Sequence, residues 1–452
     1  MIDPTIFRAY DVRGKYGESI TPDVANKIGS AYGKMKGEGA RIAVGRDIRP
    51  SSEALHRSLI DGLLSAGCDV ADTGIVPSPV LYFYVKSNKM DGGIMITASH
   101  LPSDWNGFKF SDNNGIVISK EDGLDTLKNN IELYGSSTTS KGKLSIYNNA
   151  IDSYVSYIAD KIKMNGKIKI VLDYGNSVTS LVSPKILNSS GIDYIEINRE
   201  LDGTFPNRAS EPTEDSMQGL SKKVKEVKAD LGIGYDGDGD RVVFVDEQGK
   251  IYSTGEVMIA ILAKYYLKNG SNEKVVYDAT CSTALGNYIT KLGGKPIVTR
   301  VGHNYCAKAV MENKALLGGQ YSGHMCFLET GCIDDAIFSS LKMVEVISKS
   351  GKTFSEIANE IPLGFRSKMK LFDVPDQKKF LVVDKITEKV KGLDYNIDLT
   401  DGVKIYKNGK WVLIRASNTS PAIRVNAGGM SREDSEEMQK MGERLVEGMI
   451  RQ

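Results

Sequence analysis

Strand-like segments that end in an acidic residue or a glycine recur three times along the chain, and this repeat restricts the fold more than any other feature. "RIAVGRD" runs to Asp47, "IKIVLDYG" passes through Asp173, and "KVVYDAT" passes through Asp278. Each is followed by a helical pattern with a small-residue end, "LHRSLIDGLLSAGC", "LVSPKILNSSG" and "ALGNYITKLGG", and then by a second short strand. That is a βαβ unit stated three times. Each repeat adds one more strand with an unusual loop: "GGIMITASH" with Ser99, "ADLGIGYDGDGDR" with Asp236 to Arg241, and "LLGGQYSGH" with His324. In open α/β sheets ligands collect beyond the carboxyl ends of strands, so the three loops predict three related doubly wound α/β domains facing one site.

After about Ile361 the pattern changes. "FRSKMKLFDV" and "VKIYKNGKWVLIRASNTSPAIRVNAG" alternate around Asn408-Gly409, which reads as an antiparallel hairpin, and "SREDSEEMQKMGERLVEGMIRQ" reads as a closing helix. The expected division is 1–147 with the Ser99 loop, 148–250 with the aspartate loop, 251–363 with the Gln320 loop, and an α+β domain over 364–452. A chain of 452 residues is long enough for several such cores.

Charge excludes some functions. With 58 Lys+Arg against 57 Asp+Glu the formal net charge is +1, so no global field draws nucleic acid or an anionic membrane, and an anionic ligand must be held by local groups. No apolar run approaches the roughly 20 residues of a membrane span. The five cysteines are odd in number and lack CxxC spacing, and "MIDPTIFRAYD" does not read as a signal peptide. A cytoplasmic setting is expected.

"DGDGDR" is the most specific local signal. Asp236, Asp238 and Asp240 at alternate positions set hard oxygen ligands around a small volume, which suits Mg²⁺. An EF-hand reading fails at the sixth position, where Arg241 replaces the required glycine. Mg²⁺ usually completes its shell with phosphate oxygens, and the guanidinium of Arg241 matches the same group. Ser99 lacks a G-x-S-x-G turn and is followed directly by His100, with Lys109 ten residues on, so phosphate chemistry suits it better than hydrolysis. Three of the four histidines, His100, His303 and His324, are expected in glycine-flanked loops after strands, and His56 in a helix. "RASNTSP", from Arg415 to Pro421, offers one cation among neutral donors, a phosphate cradle. Arg8 and Arg13 in "FRAYDVRG", and Arg46 and Arg49 in "GRDIR", read as weaker signals, of the kind surface ion pairs give.

Taken in order, "FRAYDVRG", "GRDIR", "TASHLPSDWNGFK", "DGTFPN", "DGDGDR", "TRVGH", "GGQYSGH", "DDAI" and "RASNTSP" resemble the α-D-phosphohexomutases, in particular the phosphomannomutase/phosphoglucomutase branch, over essentially the whole chain. The resemblance implies three related α/β domains with mixed sheets and a C-terminal domain similar to TATA-binding-like folds, a likeness of architecture that implies no DNA. It implies that Ser99 is phosphorylated and, with Asp236, Asp238 and Asp240, holds Mg²⁺. His100, Lys109, Arg13 and Arg241 would surround the transferring phosphoryl, and Gln320 and Ser322 would meet sugar hydroxyls. Arg415, Ser417, Asn418 and Thr419 would hold the phosphate that is not reacting, and Tyr10, His303 and His324 would complete the sugar pocket.

The implied reaction interconverts hexose 1-phosphate and hexose 6-phosphate, of mannose or glucose, through phosphoserine and a hexose 1,6-bisphosphate that turns around. Glucose 1,6-bisphosphate, or the matching bisphosphate, is the expected activator, and a monomer or homodimer the expected assembly. Lys109, His324 and His303 are the candidates for proton transfer, unranked. Departures from the family pattern are Leu101 beside the serine, Ala336 in "DDAI", "PNRASEP", and Gln320 where glutamate is usual, which bears on the choice of sugar. Phosphoglucosamine mutase is the nearest alternative; a metal-dependent sugar phosphatase and a non-catalytic sugar-phosphate binder are more distant ones.

Overall fold

The computed structural model describes residues 2–131, 141–164, 167–267, 272–418 and 420–451. The chain forms two compact units, Met1–Thr254 with Ser322–Ile357, and Gly255–Tyr321 with Ala358–Gln452.

In the first unit a six-stranded sheet runs in the order Val12–Lys15, Trp105–Ser111, Gly92–Ile96, Arg41–Arg46, Asp69–Ile75, Leu144–Ile146. Ile42, Ala43, Val44, Ile94, Met95 and Ile96 are all fully buried, because a central parallel strand is covered on both faces and its sequence reads as a continuous apolar run. Arg41–Arg46 pairs parallel with both its neighbours, while Gly92–Ile96 pairs antiparallel with Trp105–Ser111, so the sheet is mixed. Helices Ser52–Ser65 and Ser78–Ser87 make the crossovers, and the chain steps first to one side of Arg41–Arg46 and then to the other. That reversal leaves a crevice beyond the carboxyl ends of Arg41–Arg46 and Gly92–Ile96, and Asp47 and Ser99 follow those ends.

A five-stranded sheet in the same unit repeats the plan. Lys169–Asp173 lies between Asp193–Ile197 and Leu231–Tyr235, parallel to both, and Leu231–Tyr235 pairs antiparallel with Val242–Asp246. Asp236 is the first residue past the switch strand. The second unit states it a third time: Lys274–Asp278 is flanked in parallel by Lys295–Thr299 and Leu317–Gly319, and Gln320 follows.

The rest of the second unit is α+β. Antiparallel strands run Phe365–Arg366, Ala422–Gly429, Lys410–Ala416, Val403–Lys407, Asn396–Asp398, with Lys370–Asp373 also on Ala422–Gly429. Asn408 and Gly409, at φ 53° and 81°, make the two-residue turn that matches strand twist. One sheet face carries Val403, Ile405, Val412, Ile414 and Val425, packed on Val383, Ile386 and Val390 of helix Asp376–Val390 and on Met438 and Val446 of helix Arg432–Ile450. Ser435, Met438, Gln439, Gly442 and Val446 form the buried stripe of the last helix, at helical spacing. Among the described residues no helix is long and apolar enough to cross a membrane.

Candidate active site

Ser99 sits at φ 50°, a left-handed conformation that a non-glycine residue holds only when its surroundings fix it. Its N–H donates to Thr97 Oγ1 at 2.9 Å. The larger constraint is Arg49, which is not the surface arginine expected from "GRDIR": it is 2 % exposed and pairs with Asp47 at 3.0 Å. Arg49 donates to the carbonyl oxygens of Ser99 at 2.8 Å, Leu101 at 2.7 Å and Trp105 at 3.0 Å, and also to that of Pro102. A turn leaves carbonyls without ladder partners, and a five-donor guanidinium can collect several of them, so the charge is used to shape the serine loop. Leu101 contributes its backbone to this arrangement.

The aspartate loop meets Ser99 directly. Ser99 Oγ donates to Asp236 Oδ2 at 2.9 Å, while Asp236 Oδ1 accepts from the N–H groups of Gly239, Asp240 and Arg241 at 3.0, 3.1 and 3.2 Å. Gly237 is required for the approach, since a Cβ there would lie 2.5 Å from Ser99 O and 2.4 Å from Ser210 Oγ. Asp238 Oδ2 accepts from Ser78 Oγ and Lys109 Nζ, each at 2.7 Å, and Lys109 reaches Asp240 Oδ2 at 2.5 Å.

All three aspartates are buried and offer oxygens within 4.8 Å of one another. Asp238 Oδ1 is buried with no hydrogen-bond partner among the described residues, which fits a group that coordinates a cation. Burial, with the neighbouring charges of Asp240 and Asp238, pushes the Asp236 carboxyl well above the usual range. Burial works against the Lys109 charge, but Asp238 and Asp240 outweigh it and hold its pKa well above that of a free lysine.

Two histidines flank this cluster. His100 Nδ1 lies 3.4 Å from Ser99 Oγ, and burial together with the charges of Arg241, Arg13 and Lys109 holds the ring well below its ordinary pKa, hence neutral. His324 is buried, with Nδ1 2.6 Å from Asp334 Oδ2 and Nε2 accepting from Arg241 Nε at 2.8 Å. Asp334, in "DDAI", Ser210, in "PNRASEP", and Ser78 were given no role from the sequence. Two adjacent acids inside the apolar "GCIDDAIF" were the available signal for Asp334, since unpaired carboxylates are rarely buried. Arg13 lies on the edge strand Val12–Lys15, 3.6 Å from Asp11, and Tyr10 is half-buried at the bend before it. Ser322 is exposed.

The remaining candidates belong to the second unit. Gln320 is buried and its Nε2 donates to Asp278 Oδ2 at 3.0 Å. Burial raises the pKa of Asp278, so an amide suits this neighbour better than a second carboxylate would. His303 does not lie in a loop as expected: Gly302, at φ 154°, turns the chain so sharply that His303 is the first residue of helix His303–Asn313. Arg415, the penultimate residue of strand Lys410–Ala416, is almost wholly buried, 3.6 Å from Asp401, and its Nε has no hydrogen-bond partner among the described residues. Ser417 is buried, its Oγ accepting from Ser420 Oγ at 2.9 Å, and its carbonyl accepts from Lys379 Nζ at 2.5 Å. Asn418 Nδ2 donates to Val301 O at 3.3 Å. Thr419 lies outside the described residues.

Four family models cover nearly all of this sequence in order: phosphoglucomutase/phosphomannomutase alpha/beta/alpha domain I over residues 4–135, domain II over 147–249, domain III over 254–364, and the C-terminal domain over 370–444. The chain belongs to the phosphoglucomutase/phosphomannomutase family. A phosphoglucomutase/phosphomannomutase of Thermococcus kodakarensis is 35% identical over 456 residues, covering 99% of each chain. A relative from Methanopyrus kandleri named "Probable phosphoglucosamine mutase" is 34% identical over 442 residues, covering 96% of this chain and 95% of its own. Among solved structures, a phosphoglucomutase/phosphomannomutase family protein from Burkholderia thailandensis superposes with a TM-score of 0.91 at 29% identity, covering 100% of this chain and 98% of that one. Membership in this family makes the chain a mutase, an enzyme that moves a phosphoryl group within one substrate.

Proposed function

We propose that the protein interconverts hexose 1-phosphate and hexose 6-phosphate, of glucose or mannose, with Ser99 as the phosphoryl carrier. The observation that carries this reading is the Ser99 hydroxyl held at 2.9 Å by the first of three buried carboxylates, the other two of which bind Lys109. In the forward half-reaction the free hydroxyl oxygen of the sugar phosphate attacks the phosphorus on Ser99. The bond from Ser99 Oγ to phosphorus breaks, a hexose 1,6-bisphosphate forms, and the hydroxyl proton passes to a base. After the intermediate turns around, its other phosphoryl returns to Ser99.

Asp236, Asp238 and Asp240, with the phosphoserine, would hold Mg²⁺, which supplies charge neutralisation when bound. Lys109 and Arg241 offer positive charge to the phosphoryl oxygens, the main contribution a protein makes to this chemistry. Lys109 is held cationic by its two carboxylates, which disfavours it as a base. His324 and His303 remain the candidates for that base; Nδ1 of His324 faces Asp334, and its Nε2 lone pair accepts from Arg241 Nε. The neutral His100 beside Ser99 Oγ adds a further polar contact at the serine. Arg415, Ser417 and Asn418 are the groups proposed for the non-reacting phosphate, and the unpartnered Nε of Arg415 supports this.

The test is an assay with Mg²⁺ and trace glucose 1,6-bisphosphate on the 1-phosphates of glucose, mannose and glucosamine, with inorganic phosphate measured alongside. Isomerised glucose or mannose phosphate with little free phosphate is expected. Free phosphate matching substrate loss would make the protein a phosphatase. Turnover confined to glucosamine phosphate would favour phosphoglucosamine mutase, the second reading, which Gln320 in the sugar loop keeps in view.

A further inference from the structure

The segment between strand Lys295–Thr299 and helix His303–Asn313 is three residues long, and the side chains around Arg415 grip its middle residue on both sides. Val301 N–H donates to Asp401 Oδ2 at 2.9 Å, and Val301 O accepts from Asn418 Nδ2 at 3.3 Å. The same Asp401 oxygen lies 3.6 Å from Arg415 Nη1. Asp401 is brought there by Gly402, at φ 73°, where a Cβ would come within 2.4 Å of Ile414 O and 2.7 Å of Arg415 Cβ.

From this we infer that Asp401 is a positioning residue, which orients Arg415 for phosphate and ties the occupancy of that phosphate site to the placement of His303. The inference rests on the reading of Arg415, Ser417 and Asn418 as a phosphate cradle. One carboxylate oxygen faces two groups: the Arg415 guanidinium, which it attracts as an ion pair, and a backbone N–H two residues before His303, from which it accepts a hydrogen bond. A phosphate drawing on Arg415 and Asn418 therefore acts on groups that already hold Val301. The coupling needs no large movement, because Gly302 alone separates Val301 from the helix that begins at His303.

Two variants separate the two duties. Asp401→Asn keeps an acceptor for Val301 N–H but removes the charge opposite Arg415; Asp401→Ala removes both. Asp401→Asn is expected to raise KM for the hexose phosphate about 5–20-fold with kcat within about twofold, and Asp401→Ala to lower kcat about tenfold as well. The direct readout is imidazole NMR of the four histidines, with His303 assigned through His303→Gln, during titration with inorganic phosphate. The His303 resonance should move in the wild type and in Asp401→Asn at higher phosphate, and stay still in Asp401→Ala. Wild-type kinetic constants in Asp401→Ala, a loss confined to thermal stability, or a His303 shift absent from the wild type or unchanged in Asp401→Ala would overturn the inference. Because inorganic phosphate is the probe, the His303 response stands or falls whether or not the protein turns hexose phosphates over.

Discussion

Around Ser99 the cations are already paired inside the protein, with Lys109 closed on Asp238 and Asp240 and Arg241 hydrogen-bonded to His324, and the open atom is an acceptor, Asp238 Oδ1. Around Arg415 the pairing is incomplete on the donor side: one carboxylate stands 3.6 Å away, and the buried Nε has no partner among the described residues. The contrast follows from the work proposed for each region. Groups that neutralise a transferring phosphoryl must be fixed before the reaction, because their catalytic value lies in needing no reorganisation. A cradle for a phosphate that is bound and released can leave a donor open, since the ligand itself completes the set. Assembly differs as well: residues 78, 99, 109 and 236–240 meet in the first region, whereas the second is built from a few loops of its own unit.

The largest effect that could break this comparison is expected at Asp238, which bridges Ser78 and Lys109 and has one oxygen open. Asp238→Asn should lower kcat by about 10²–10³-fold and raise the Mg²⁺ needed for half-maximal rate, measured in the hexose-phosphate isomerisation assay. A rate unaffected by this change at every Mg²⁺ concentration would mean the carboxylates are structural.

A smaller effect, in stability, sharpens the other side. Lys404 is buried, donates to Ala279 O at 3.1 Å and to Cys281 O at 2.5 Å, and lies 4.5 Å from the Trp411 ring centre. Burial pulls its pKa down to about 8 from an ordinary 10.5. Between those values the folded chain has released the proton while the unfolded chain still holds it, so rising pH favours the fold across that window, by at most roughly 3 kcal/mol. The difference in urea midpoint between wild type and Lys404→Met should therefore shift in favour of the wild type from pH 8 to pH 10. A difference independent of pH would mean that Lys404 titrates normally.

Much of this was legible in the sequence because it is local. Each βαβ repeat carries its own apolar run and small-residue helix end, and the Asn408-Gly409 hairpin is set by two residues that accept positive φ. The cluster of Ser99, Lys109 and the aspartates was legible because like charges at alternate positions need a counter-ion, and a lysine was at hand. Arg49 was not, since its partners are backbone carbonyls fifty or more positions away, and carbonyls leave no mark in residue identity. Asp401 escaped because it acts on Val301, a hundred positions away, and only the fold brings them together; Asp334, ten positions from His324, lay within "DDAI" but nothing in its spacing pointed to the imidazole. His303 was misplaced because a glycine ahead of a histidine reads equally as a loop or as the entry to a helix.

The most direct test of the central claim is the intact mass of the purified protein after incubation with glucose 1,6-bisphosphate and Mg²⁺, followed by peptide mapping. One phosphoryl group is expected on Ser99, exchanged on addition of hexose monophosphate and lost in Ser99→Ala together with turnover. Sustained mutase turnover with Ser99 never phosphorylated would contradict it.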